Sequence, residues 1–162
     1  MGVAGSGKST LGAVVAERMG WPMIEGDDFH SDENKARMRT GVPLSDADRE
    51  GWLRSLAREL QQRPDGAVLT CSALKRRYRD LLRAASPQLA FIFLEISEDE
   101  ALRRVRARPQ HFFPPELLQS QFAALEPPID EPGVLRLDAV LPLQNLVDQT
   151  VTWLTRNSGF AV

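Results

Sequence analysis

The chain opens Met1-Gly2-Val3-Ala4-Gly5-Ser6-Gly7-Lys8-Ser9-Thr10. Gly2, four residues, then Gly7-Lys8-Ser9 is a complete P-loop spacing, and it constrains the fold more than any other feature. Glycines let several backbone amides converge on one anion without a Cβ in the way. The segment that follows places Leu11, Val14, Val15 and Met19 at helical spacing, so a helix starting near Lys8 points its positive end at the same anion. Lys8 adds a mobile charge for the β- and γ-phosphates, and the Ser9 hydroxyl is a hard oxygen suited to Mg²⁺. Gly2 through Thr10 are therefore the expected ATP-phosphate cradle. A glycine-rich turn that merely caps a helix is the alternative. It does not account for Lys-Ser-Thr at the required offset. A P-loop ordinarily follows a buried strand, and here only Met1 precedes Gly2. The expectation is that the first strand is truncated, and that the natural chain carries more apolar residues upstream.

The rest of the chain alternates short apolar runs with helical patterns. Pro22-Met23-Ile24, Ala67 to Cys71, Leu89 to Ile96 and Val134 to Leu137 read as strands. Helices are expected from Ser45 to Pro64, Lys75 to Ala85, Glu98 to Arg108, Pro115 to about Leu125, and Pro142 to about Arg156. Ser45 with Asp48, and Ser97 with Glu100, are capping-box pairs. Strand-helix alternation with strands apolar on both faces implies an α/β three-layer sandwich, a parallel sheet with helices on both sides. Ligands in such sheets gather at the carboxyl ends of the strands. The 162 residues show no repeat or linker and fit a single domain spanning 1–162.

Composition removes several classes. A net charge of −2 excludes a nucleic-acid binder that relies on bulk electrostatics, and no apolar run is long enough to span a bilayer. One cysteine, Cys71, leaves no internal disulfide and fits a reducing, cytoplasmic setting. Two histidines far apart in sequence form no metal-ligand cluster. The guanine-recognition signature of a GTPase is absent too: the only Asn-Lys, Asn34-Lys35, is followed by Ala36-Arg37.

Beyond the P-loop, several stretches carry a more specific signature. They include Gly26-Asp27 with His30; Asn34-Lys35 with Met38; Pro43-Leu44, Asp46, Asp48-Arg49 and Trp52-Leu53. Further on come Cys71-Ser72-Ala73-Leu74-Lys75, Tyr78-Arg79-Asp80-Leu81-Leu82, Arg104 and Arg108 with His111-Phe112, and Gln121-Phe122 with Leu125-Glu126-Pro127. In these the chain resembles the gluconokinases, P-loop small-molecule kinases related to the shikimate and adenylate kinases. It departs from them at Glu25, where the family usually has Asp. The resemblance implies a P-loop kinase fold with a substrate-binding region at about 27–63 and a mobile lid at about 104–127. It implies ATP-dependent phosphorylation of D-gluconate at the 6-hydroxyl, with Mg²⁺, and a homodimer. The open alternatives are a kinase for another small hydroxy acid or polyol, and a nucleotide-binding relative without transferase activity.

Residue by residue, the resemblance implies that Asp27 orients the attacking hydroxyl and Glu25 holds Mg²⁺ together with Ser9. Arg104 and Arg108, four apart on one helix face, would close on the ATP phosphates. Gluconate carries a carboxylate and a row of hydroxyls, so its site needs cations and polar hydrogen-bonders. The candidates are His30, Lys35, Arg49, Ser72, Lys75 and Arg79. Lysine is scarce, occurring at 8, 35 and 75 alone.

Overall fold

The computed structural model describes residues 1–107 and 114–157. Its elements run α1 (Lys8–Met19), β1 (Met23–Glu25), a 3₁₀ turn (Gly26–Phe29), α2 (Asp32–Arg39), α3 (Asp46–Gln61), β2 (Val68–Thr70) and α4 (Arg76–Ala85). They continue with β3 (Phe91–Glu95), α5 (Glu98–Arg106), a second 3₁₀ turn (Pro115–Leu117), α6 (Leu118–Ala124), β4 (Val134–Asp138) and α7 (Leu143–Asn157). Local chemistry sets the starts. At α3 the Ser45 hydroxyl accepts from the Asp48 amide and the Asp48 carboxylate accepts from the Ser45 amide, the expected reciprocal box. At α5 only half of the expected box forms. Ser97 accepts from the Glu100 amide, but the Glu100 carboxylate is occupied by Arg103 and Arg104.

The strands pair in parallel as expected: β1 with β2 in the register Ile24↔Leu69, and β3 with β4 in the register Phe93↔Arg136. The two pairs do not join into one ladder. Met1 lies between them. Its amino group donates to the Ile92 carbonyl (2.6 Å), its carbonyl accepts from the Leu94 amide (3.0 Å), and the Gly2 amide donates to the Ser72 carbonyl (3.2 Å). Met1 and Gly2 thus form a single rung bridging the two halves. Behind this rung is a cavity of about 510 Å³ walled by Val68 to Cys71 on one side and Phe91, Ile92 and Leu94 on the other. Burial pushes the Met1 amino group down to about 5.

Three apolar clusters hold the layers. Trp52, Leu53, Leu56 and Leu60 of α3 pack with Tyr78 and Leu82 of α4 against Phe91 and Phe93. On the opposite face Leu11 and Val15 of α1 meet Leu146, Val147 and Leu154 of α7 across Leu94 and Leu137. Val3, Leu74, Ala101 and Leu118 join the P-loop to α5 and α6. Among the described residues no helix is long and apolar enough to cross a membrane.

Candidate active site

The P-loop turns where the sequence requires. Gly5 and Gly7 take φ values of 80° and 95°, which L side chains rarely adopt, and a Cβ on Gly5 would sit 2.7 Å from the Ala101 carbonyl oxygen. Gly7 caps α1 with no side-chain bond to the first-turn amides, and that turn holds no acidic residue. The positive end of the helix is therefore left to an external anion. The loop is braced from α6, where the buried Gln121 accepts from the Ala4 amide (2.6 Å). Lys8 donates to the Val3 carbonyl (3.0 Å), folding its ammonium back over the loop. An ammonium carries three protons, and this bond uses one of them.

The cradle opens into a cleft lined by Lys8 and Ser9 together with Asp27, His30, Arg49 and Ser72. These four come from separate places: the 3₁₀ turn after β1, the residue that ends it, the first turns of α3, and the carboxyl end of β2. With Ala4, Gly5 and Gly7 of the loop, nine candidates are thus brought to one cleft. Its floor is apolar, with Met38, Leu44 and Leu117 packed as a small cluster and Val105 beside them. The sequence reading assigned these residues no role. Met38 and Leu44 occur among the resemblance-bearing residues, but only the tertiary fold shows them under the site.

The cleft is cationic and partly dry. His30 is 6% exposed, its Nδ1 is buried without a partner, and burial lowers its pKa to about 4, helped by Arg49 and Lys35. Burial also lowers Arg49, while Tyr78, Asp48 and Asp27 pull it back up. His30 is neutral in the folded protein and protonated in the unfolded chain between about pH 4 and the ordinary value near 6.5. The unfolded state binds the extra proton there, so stability falls as pH drops through this window. A His30→Phe variant is expected to lose part of that slope, measured as melting temperature against pH. An unchanged slope would show that His30 is charged when folded.

Several candidates lie elsewhere. Arg79 was expected to bind substrate, but its guanidinium is wholly buried and its donors are committed. Nη1 donates to the Ala73 and Leu74 carbonyls, Nη2 to the Glu126 carbonyl, and Nε with Nη2 to the Glu131 carboxylate. Arg79 is therefore a structural pin, and the pattern Tyr78-Arg79-Asp80 could not distinguish a buried arginine from an exposed one. Lys75 does not line the cleft. It pairs with Asp46 (2.9 Å), which also takes Arg77 and the Tyr78 hydroxyl, tying the start of α3 to α4. The Lys35 ammonium donates to the Asp28 carbonyl on the exposed side of the turn. Arg104 was expected over the phosphates, but it is held by Glu100 (2.7 Å) and the Ala139 carbonyl (3.0 Å), away from the cleft. Its partner in that expectation, Arg108, lies outside the described residues. The Glu25 carboxylate accepts from the Thr70 hydroxyl and does not line the cleft.

No group of three or more His, Cys, Asp or Glu side chains is arranged as a metal cage among the described residues. At the cradle the Ser9 hydroxyl lines the cleft, a hard oxygen of the kind Mg²⁺ takes when one or two protein oxygens are completed by phosphate and water.

Comparison with known proteins places this architecture. A family model described as an AAA domain matches residues 1–128. The chain is 40% identical over 153 residues to the thermosensitive gluconokinase of Escherichia coli, covering 92% of this chain and 82% of the relative. It is 45% identical over 140 residues to the gluconokinase of Gluconobacter oxydans, covering 85% and 79%. The crystal structure of a gluconokinase from Sinorhizobium meliloti superposes with a TM-score of 0.90 at 44% identity, covering 98% of this chain and 91% of that one. With its P-loop opening onto a polar cleft and these relatives matched over most of their length, the chain belongs to the gluconokinase family of P-loop kinases.

Proposed function

We propose that the protein transfers the γ-phosphoryl group of ATP to the 6-hydroxyl of D-gluconate, giving 6-phospho-D-gluconate and ADP. The carrying observation is the shared cleft, in which a phosphate cradle and the polar set Asp27, His30, Arg49 and Ser72 face one space. The acceptor oxygen forms a bond to the γ-phosphorus as the bridging oxygen to the β-phosphate leaves with ADP. Asp27 takes the proton of the hydroxyl and keeps it aimed. The amides of Gly5 to Ser9 and the Lys8 ammonium hold the phosphates and offset the charge that develops on them. Arg49 supplies the fixed positive charge for the gluconate carboxylate. His30, as a neutral imidazole, and Ser72 exchange hydrogen bonds with its hydroxyls. Ser9, and through water Glu25 beside the cleft, would hold Mg²⁺, which would supply positive charge to the phosphates.

An ADP-release assay over a panel of acceptors tests the reading. Turnover is expected with D-gluconate, and not with glucose, which has no carboxylate, or with shikimate. Asp27→Asn is expected to lower kcat at least about 100-fold while the KM for ATP stays within about twofold, because the side chain meets the hydroxyl and not the nucleotide. Equal use of glucose would overturn the assignment of substrate. An Asp27→Asn variant altered only in its gluconate KM would make Asp27 a binder and not a base.

A further inference from the structure

Trp52 is buried in α3 and does not line the cleft, yet it touches both ends of the turn that does. Its indole N–H donates to the Gly26 carbonyl (2.7 Å), the carbonyl of the peptide that leads into Asp27. Its ring lies flat against His30, with centroids 4.5 Å apart and planes 11° from parallel. The backbone between is a single 3₁₀ turn, closed by the His30 amide on the Asp27 carbonyl.

Gly26 is gripped from the other side as well. A Cβ there would stand 2.3 Å from the Thr70 carbonyl oxygen, so the turn is pressed onto the end of β2 and cannot retreat from Trp52. The helix bearing Trp52 is itself fixed near its start. The Ser45–Asp48 box closes its first turn, and the Asn34 amide group donates to the Asp48 carbonyl (2.7 Å), joining α2 to it. A rigid element thus carries one side chain whose edge sets Asp27 and whose face sets His30.

We infer that Trp52 is a positioning residue for phosphoryl transfer: it fixes, through Gly26 and His30, the spacing between the base and the neutral hydroxyl-reading imidazole. The inference rests on the gluconate kinase reading for its catalytic consequence, but the mechanical link is independent of substrate. The two contacts are separable by substitution. Phenylalanine keeps an aromatic face for His30 and loses the N–H to Gly26. Leucine loses both. The charged groups that act on His30 are Arg49 and Lys35, and neither substitution replaces them.

The test compares wild type, Trp52→Phe and Trp52→Leu in the full chain, below the melting temperature of each. In Trp52→Phe, kcat is expected to fall about tenfold with both KM values within about twofold of wild type, as loss of one buried hydrogen bond to the turn implies. In Trp52→Leu the gluconate KM is expected to rise about tenfold in addition, while the ATP KM holds. The chain has two histidines, so proton NMR reads His30 directly once a His30→Phe spectrum assigns it. Its ring-proton Overhauser contacts with the turn are expected to persist in Trp52→Phe and change in Trp52→Leu. A Trp52→Phe enzyme with wild-type kcat overturns the inference, as does an ATP KM that rises in step with that for gluconate, the mark of general loosening. If wild type itself shows no gluconate-dependent turnover, the functional reading falls and the NMR arm alone decides. Unchanged His30 Overhauser contacts with the turn in Trp52→Leu then overturn the positioning role, and altered ones sustain it.

Discussion

Lys8→Met is expected to reduce gluconate-dependent ATP turnover by at least about 100-fold while the protein melts within a few degrees of wild type. The ammonium sits over the P-loop on the Val3 carbonyl, in a cleft floored by Met38, Leu44 and Leu117. Removing one preorganised donor aimed at developing charge typically costs about 3–4 kcal/mol of transition-state stabilisation. Methionine keeps the length and packing of the lysine stem, so the substitution removes the charge and the hydrogen bonds of the ammonium and leaves the stem in place. Steady-state kinetics with circular dichroism on the same sample separates the effects. Activity above about a tenth of wild type would mean that Lys8 serves the loop and not the phosphate.

The largest effect on stability is expected at Arg79. Replacing it by methionine should lower the melting temperature by about 10 °C. The guanidinium is fully buried and its carboxylate partner Glu131 is 5% exposed. Hydrogen bonds from Arg79, with a further one from Arg83, hold the Glu131 carboxyl below its ordinary pKa. Removing Arg79 leaves the buried Glu131 carboxylate with Arg83 alone and strips three backbone carbonyls of their donor at once. Breaking one side of a buried pair costs about 3–5 kcal/mol, which for a chain of this size corresponds to roughly 2–4 °C per kcal/mol. The gluconate KM, measured well below the melting temperature, should be unchanged. A variant of normal stability with a raised gluconate KM would return Arg79 to the substrate site.

The sequence alone determined most of the elements and the glycine-rich loop, but not α2. Gly2 to Thr10 specifies its own geometry, because backbone amides, a left-handed glycine and a helix terminus are local features that need no distant partner. The strand and helix positions followed for the same reason: periodicity and capping are read within one segment, and the Ser45–Asp48 box formed as its spacing requires. Tertiary structure decided which charged side chains face the cleft. Arg49 and Arg79 are both arginines in resemblance-bearing stretches of helix, yet one lines the site and the other is buried on Glu131, a residue 52 positions away. Lys75 and Arg104 were likewise diverted, by Asp46 in α3 and by the Ala139 carbonyl after β4. The apolar floor and the grip of Trp52 on Gly26 and His30 were also invisible in sequence. An ion pair or a stacking contact is chosen by whichever partner the fold brings within a few ångströms, and that information is non-local.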